Sequence, residues 1–114
     1  MNPKVTIKKN SDFRRIYAKG KTAVTPTLVV YAAKNREGLS RAGFTVSAKF
    51  ANAVNRNRTK RRLREIYRST LPALSRGKDI IVVARSKAVS SDYYRLDADF
   101  VSACEKLNLM QAAE

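Results

Sequence analysis

Lys49-Phe-Ala-Asn-Ala-Val-Asn-Arg-Asn-Arg-Thr-Lys-Arg-Arg-Leu-Arg-Glu-Ile-Tyr-Arg68 holds eight Lys or Arg residues in twenty positions, with Glu65 as its single acid. Seven of those cations precede the acid. So charged a segment repels itself, yet Leu63, Ile66 and Tyr67 recur at helical spacing. The stretch therefore reads as a helix anchored to a core by one stripe and offering cations on its other faces. A polyanion is the natural counterpart.

The predicted helix runs from about Ala53 to about Leu74, capped by Asn52 or Asn55, with Pro72 loosening its last turn. At about 100° per residue, Ile66, Tyr67, Thr70 and Leu74 fall within about 60° of Leu63, a coherent core face. Asn57, Arg61, Arg64 and Arg68 share one flank, and Arg58 and Arg62 share the other. Arg56, Thr59 and Lys60 continue the core direction without being apolar. The first turns are thus expected to overhang the core, their cations pointing past the sheet edge into a groove. Unpaired like charges at i,i+4 cost stability, so a one-signed face favours phosphate contact over simple solvation. Arg binds phosphate bidentately, and Asn57 adds directional hydrogen bonds.

The flanking segments supply the rest of one domain. Residues 1–9 read as a basic, loosely held arm. Asn10 or Ser11 caps a short helix over 12–19 with Phe13, Ile16 and Tyr17 on one side, and Gly20 stops it. Residues 21–24, 27–33 and 41–47 read as strands, with a hairpin-like connection over 34–40. Gly77 turns the chain into an apolar strand over 78–84. Ser90 or Ser91 caps a final helix to about Leu109, with Tyr93, Leu96, Phe100, Ala103 and Leu107 on one stripe. The order α-β-β-β-α-β-α predicts a single α/β two-layer sandwich (α+β) over residues 1–114.

Composition narrows the function. The 114 residues are 44% hydrophobic, enough to fold, and carry 24 bases against 9 acids for a net charge of +15. Such an excess opposes compaction unless a polyanion neutralises it, and nucleic acid leads that class. Residues 92–114 are net acidic, with only Arg95 and Lys106 against five acids, so this segment is expected on the far side from the polyanion. Its Tyr93, Tyr94 and Phe100 read as structural. No apolar run approaches a membrane span, and no signal-peptide hydrophobic region opens the chain. One cysteine, Cys104, allows no internal disulfide, which suits a reducing cytoplasm. With no histidine, His/Cys metal sites and Ser-His or Cys-His catalysis are excluded. Phe13, Tyr17 and Tyr31, with Val29 beside Tyr31 on one strand face, are candidate stacking surfaces for unpaired bases, although aromatic residues at this spacing also serve as core.

With these residues in view, the chain resembles the protein subunit of bacterial ribonuclease P. The resemblance rests on Ala53-Val54-x-Arg56-Asn57-Arg58-x-Lys60-Arg61-x-x-Arg64-Glu65, which matches that family's basic helix. Phe13-x-x-x-Tyr17-x-Lys19-Gly20, Ala42-Gly43-Phe44-Thr45-Val46-Ser47-x-Lys49 and Asp79-Ile-Ile-Val-Val-Ala-Arg85 add to it, in order, over about residues 7–108. Tyr17 stands where the family often has Phe, and Thr59 where an aliphatic residue is common.

The resemblance implies a ribosomal-protein-domain-like sandwich with a left-handed strand-helix-strand crossover, against the usual preference. It further implies a non-catalytic subunit that binds a catalytic RNA, the RNA hydrolysing precursor tRNA with Mg²⁺ to leave the mature 5′ end. By position, Phe13, Tyr17, Val29, Tyr31, Lys60 and Arg64 would line a cleft for the single-stranded 5′ leader. Arg56, Asn57, Arg58, Arg61 and Arg62 would face the RNA subunit. Two other readings share the charge and length. One is a ribosomal or other structural RNA-binding protein or RNA chaperone. The other is a DNA-binding regulator, which the absence of a second helix close by in sequence disfavours.

Overall fold

The computed structural model describes residues 6–35 and 38–111. Its elements are α1 (Asn10–Lys19), β1 (Lys21–Val24), β2 (Leu28–Lys34), β3 (Arg41–Val46), α2 (Ala53–Thr70), β4 (Lys78–Ala84), α3 (Ser86–Ser90) and α4 (Tyr93–Lys106). This is the predicted order with the one-turn helix α3 interposed. The four strands form a single sheet in the order β1-β2-β4-β3. β2 pairs antiparallel with both β1 and β4, while β3 runs parallel to β4. The residue 34–40 connection is therefore not a hairpin: β4 inserts between β2 and β3, and α2 makes the crossover that brings it there. No described helix is long and apolar enough to cross a membrane.

Alternation along the strands divides the interior in two. Leu28, Val30, Ala32, Ala42, Val46, Ile80, Val82 and Ala84 turn to one sheet face, where α2 and α4 cover them in the main core. From α2 come Leu63, Ile66 and Tyr67, and from α4 Leu96, Phe100, Ala103 and Cys104, all buried. The other face carries a smaller cluster of Ile7, Ile16 and Ile81, with Phe13, Tyr31, Ala33 and Val83 packed around it. Helix α1 covers only part of this second face.

The energetics of α2 explain how so charged a helix holds. Leu63, Ile66 and Tyr67 are each at most 2% exposed, and together their burial contributes about 5–9 kcal/mol before entropy. Six like-charge pairs at i,i+3 or i,i+4 oppose it, beginning with Arg56–Lys60 and ending with Arg64–Arg68. Their repulsion totals about 1–3 kcal/mol. Anchoring wins.

Several boundaries differ from expectation for identifiable reasons. Asn52, not Asn55, caps α2: its side chain accepts from the Asn55 backbone N–H at 2.9 Å. The helix ends at Thr70, and Pro72 lies in a 3-10 turn over Leu71–Ala73. Helix α1 begins at Asn10 with Lys9 in the cap position and no side-chain cap, so neither Asn10 nor Ser11 plays that part. Gly20 ends α1 in extended backbone, at φ −76°, rather than in the left-handed region. It must be glycine for lack of space, since a Cβ there would lie 2.5 Å from the Ile16 carbonyl oxygen and 2.9 Å from that of Ala32.

Asp92 caps α4 through the Arg95 N–H at 2.8 Å, displacing the predicted Ser90 or Ser91, which belong to the end of α3. Of the expected arm over 1–9, residues 1–5 lie outside the described residues. Ile7 is not loose: it is 4% exposed and its N–H donates to the Ala42 carbonyl at 3.0 Å.

Candidate nucleic-acid interface

The basic face of α2 is free of carboxylate partners. Among the described residues, every ion pair is made by Arg15, Arg41 or Arg95. Arg56 is half-buried and reaches the Ala51 carbonyl at 3.4 Å, Arg58 bonds the Asn55 side-chain oxygen, and Arg62 reaches the Ser91 carbonyl at 3.3 Å. Asn57, Arg58, Arg61, Arg64 and Arg68 are exposed, and Lys60 is half-buried.

The predicted overhang is shorter than expected. Thr59 is 2% exposed, and its hydroxyl donates to the Asn55 carbonyl at 3.0 Å. A threonine can bury itself in a helix because the i−4 carbonyl satisfies its hydroxyl. The core stripe therefore continues to Thr59.

The acids missing from this face are employed inside. Asp99 is 7% exposed and accepts from the Thr27 N–H at 3.2 Å and the Thr27 hydroxyl at 2.7 Å. Thr27 lies in the turn closed by the Thr25 N–H donating to the Leu28 carbonyl at 2.8 Å, so β2 starts at Leu28. Asp79 is fully buried and accepts from Arg41 Nε at 2.8 Å, Arg41 at 2.7 Å, Arg15 at 2.5 Å and the Asn35 amide at 2.9 Å. Burial alone pushes the Asp79 carboxyl up, but the bonds from Arg41, Asn35 and Arg15 outweigh it and hold it below its ordinary value. This network ties α1 to β3 and β4. Sequence reasoning quoted Asp79 only as part of a strand motif, and nothing in the spacing of residues 15, 35, 41 and 79 announces their convergence.

Across the second sheet face lies an aromatic trough. Tyr31 on β2 meets Tyr17 on α1 edge to face, ring centroids 4.8 Å apart, and Tyr17 lies 6.1 Å from Phe13. Tyr17 also shares a hydrogen bond with the Thr45 side chain, so it reaches across β4 toward β3. Burial raises its hydroxyl pKa, the Thr45 bond lowers it, Tyr31 adds to the rise, and the net shift is upward. Gly43 makes room for Phe13, whose ring would stand 3.0 Å from a Cβ at that position.

Beyond α1 the face opens. Val24 and Val29 pair across β1 and β2, and Val29 and Val83 across β2 and β4. Val24 is 54% and Tyr17 41% exposed. The core reading of the rings holds in part: their inner edges pack on Ile81 and Gly43, while their outer surfaces are accessible.

Of the sequence-predicted cleft residues, Phe13, Tyr17, Val29 and Tyr31 come together on this face. Lys60 and Arg64 do not join the rings, because α2 packs on the opposite sheet face against β3 and α4. The acidic helix α4 lies beside α2 rather than on the far side of the molecule from it; what it is remote from is the trough. Phe100 is core and Tyr93 packs against it, but Tyr94 is 80% exposed and not structural. No group of three or more His, Cys, Asp or Glu side chains able to hold a metal occurs among the described residues.

An α/β fold with a cationic helix lacking described carboxylate partners and a half-open aromatic sheet face has the features of a nucleic-acid-binding protein. Residues 1–108 match the Ribonuclease P family. The ribonuclease P protein component of Natranaerobius thermophilus is 39% identical over 111 residues, covering 97% of this chain and 96% of that protein. The solved RNase P protein of Staphylococcus aureus superposes with a TM-score of 0.86 at 35% identity, covering 94% of this chain and 98% of that one. The Thermotoga maritima RNase P protein gives 0.79 at 29% identity, covering 94% and 98% respectively. The chain belongs to the ribonuclease P protein-component family.

Proposed function

We propose that this subunit binds the catalytic RNA of ribonuclease P through α2 and receives the 5′ leader of precursor tRNA in the aromatic trough. The carrying observation is that no carboxylate among the described residues pairs with an α2 cation, while Asp12, Asp79 and Asp99 pair with Arg15, Arg41 and Arg95 instead. Arg56, Asn57, Arg58, Arg61 and Arg62 face the RNA subunit. Phe13, Tyr17, Val29 and Tyr31 hold the leader by stacking and apolar contact, and Lys60 and Arg64 meet its phosphates where it leaves the sheet edge. Two polyanions repel, and a cationic ridge beside a trough lowers that cost for both at once. Leader recognition is then largely sequence-tolerant, because phosphates and stacking report little base identity.

In this reading the whole chain, residues 1–114, acts as one RNA-binding domain in the cytoplasm, and the enzyme is an endoribonuclease of tRNA 5′ maturation whose chemistry belongs to the RNA. Mg²⁺, held mainly by that RNA, supplies the hydrolytic chemistry. The described acids do not form a site for it, since Asp79 is enclosed by cations and Asp99 by Thr27 and Arg95. The protein's part is to bind, orient and neutralise.

Reconstitution tests this. The purified chain should stimulate leader removal by the catalytic RNA at low Mg²⁺, and should tighten binding of precursor tRNA more than of tRNA lacking its leader. Equal effects on both substrates would remove the trough's role. Family membership disfavours a ribosomal or chaperone protein without a processing role.

A further inference from the structure

We propose that a second cationic concavity, at the opposite end of the strands from α2's first turns, is an additional anchor for an RNA phosphate backbone. The inference rests on the reading that the partner is RNA. A hollow of about 340 Å³ opens where the end of α1, the start of β1, the end of β2, the start of β4 and the end of α4 converge. Lys19, Lys21, Lys34 and Lys78 line it together with Arg15, over an apolar floor that includes Leu107. Arg15 is engaged by Asp79 at 2.5 Å. The four lysines have no acidic partner among the described residues.

Lys34 and Lys78 stand directly opposite each other in the β2–β4 ladder. Like charges in that arrangement destabilise a sheet. Lys21 lies on the adjoining strand, paired with Ala32 on the same side. An ordinary solubilising surface alternates signs. Here several cations converge on a hollow with no acid in its lining, so the arrangement becomes favourable when an anion sits between them.

The site is separate from the trough. Lys34 lies three residues along β2 from Tyr31, about 10 Å at the rise of a strand, and on the opposite sheet face by alternation. One phosphate cannot serve both. A strand held at both points would be clamped across the molecule. Two sources present the same chemistry: the RNA subunit and the precursor strand.

The experiment uses the full chain with Lys34→Gln and Lys78→Gln together, titrated against salt in two arms. One arm measures assembly with the RNA subunit, and the other measures binding of precursor tRNA to the assembled enzyme. Two lost phosphate contacts should shrink the affinity advantage of the native protein by about 25- to 60-fold between about 50 and about 500 mM monovalent salt. The arm in which this occurs identifies the source. Lys34→Arg with Lys78→Arg should retain the native salt dependence. Thermal melting checks the fold, and Lys19→Gln with Lys21→Gln, outside that ladder, carries the same expectation should the first pair melt early. Unchanged salt dependence in both arms overturns the anchor. If Arg61→Ala, run alongside, does shift the salt dependence of assembly, the RNA-binding reading itself survives that failure.

Discussion

Arg61→Ala isolates the electrostatic contribution of α2. Arg61 is exposed, makes no hydrogen bond or ion pair among the described residues, and sits between Arg58 and Arg64 on the helix surface. Replacing it with the best helix former relieves two like-charge contacts but removes the opposite-signed i,i+4 neighbour of Glu65, so the melting temperature should be nearly unchanged, with a stability change within about 0.5 kcal/mol. Binding should respond differently. Each phosphate neutralised contributes about 0.7–0.9 to the slope of log affinity against log salt, so one lost contact lowers the slope by about that much. Between about 50 and about 500 mM salt, the ratio of native to variant affinity for the RNA subunit should therefore shrink by about five- to eightfold. Arg61→Lys should keep most of the slope while losing bidentate geometry. The assay is a salt titration of assembly, with melting followed on the same samples. A ratio constant across salt would refute the phosphate contact, and a large fall in melting temperature would mean that Arg61 packs in a way the structure does not show.

Tyr31→Ala should weaken binding of leader-bearing precursor by about 1–3 kcal/mol, the range for one base-aromatic stack, and leave leaderless tRNA and assembly untouched; a lowered melting temperature with the leader-dependent affinity of the still-folded variant unchanged would reverse that assignment. Asp79→Asn should cost about 3–5 kcal/mol in denaturant melts, since it strips a buried countercharge from Arg41; less than about 1 kcal/mol would mean that water enters the site. Because the folded Asp79 value is depressed, its contribution is fully present above the unfolded value near 3.8 and is lost as pH falls through the lower folded value. Acid unfolding of the native protein should therefore steepen below about pH 4 relative to Asp79→Asn. Gly20→Ala should destabilise by about 1–3 kcal/mol, because both clashing atoms are backbone carbonyl oxygens; a neutral result would show that α1 shifts freely on the sheet.

Local pattern was enough for most of what the chain uses. The Leu63, Ile66, Tyr67 stripe announced α2, a β-branched run announced β2, alternation β3 and an apolar run β4, and the excess of Lys and Arg before Glu65 announced the polyanion, because period, composition and charge are properties of neighbours along the chain. The ring set Phe13, Tyr17, Tyr31 was nameable for the same reason, as was its standing between packing and open surface. Which strand pairs with which was not nameable. β4 separates β2 from β3 because the α2 crossover brings it there, and that placement depends on how α2 seats on the sheet. The fates of the acids were equally hidden. Asp79 draws Arg15, Asn35 and Arg41 together from 64, 44 and 38 residues away, and Asp99 reaches Thr27 from 72. A buried carboxylate must find its partners wherever the fold brings them, so their identity is a property of packing. Spacing along the chain carries no trace of it.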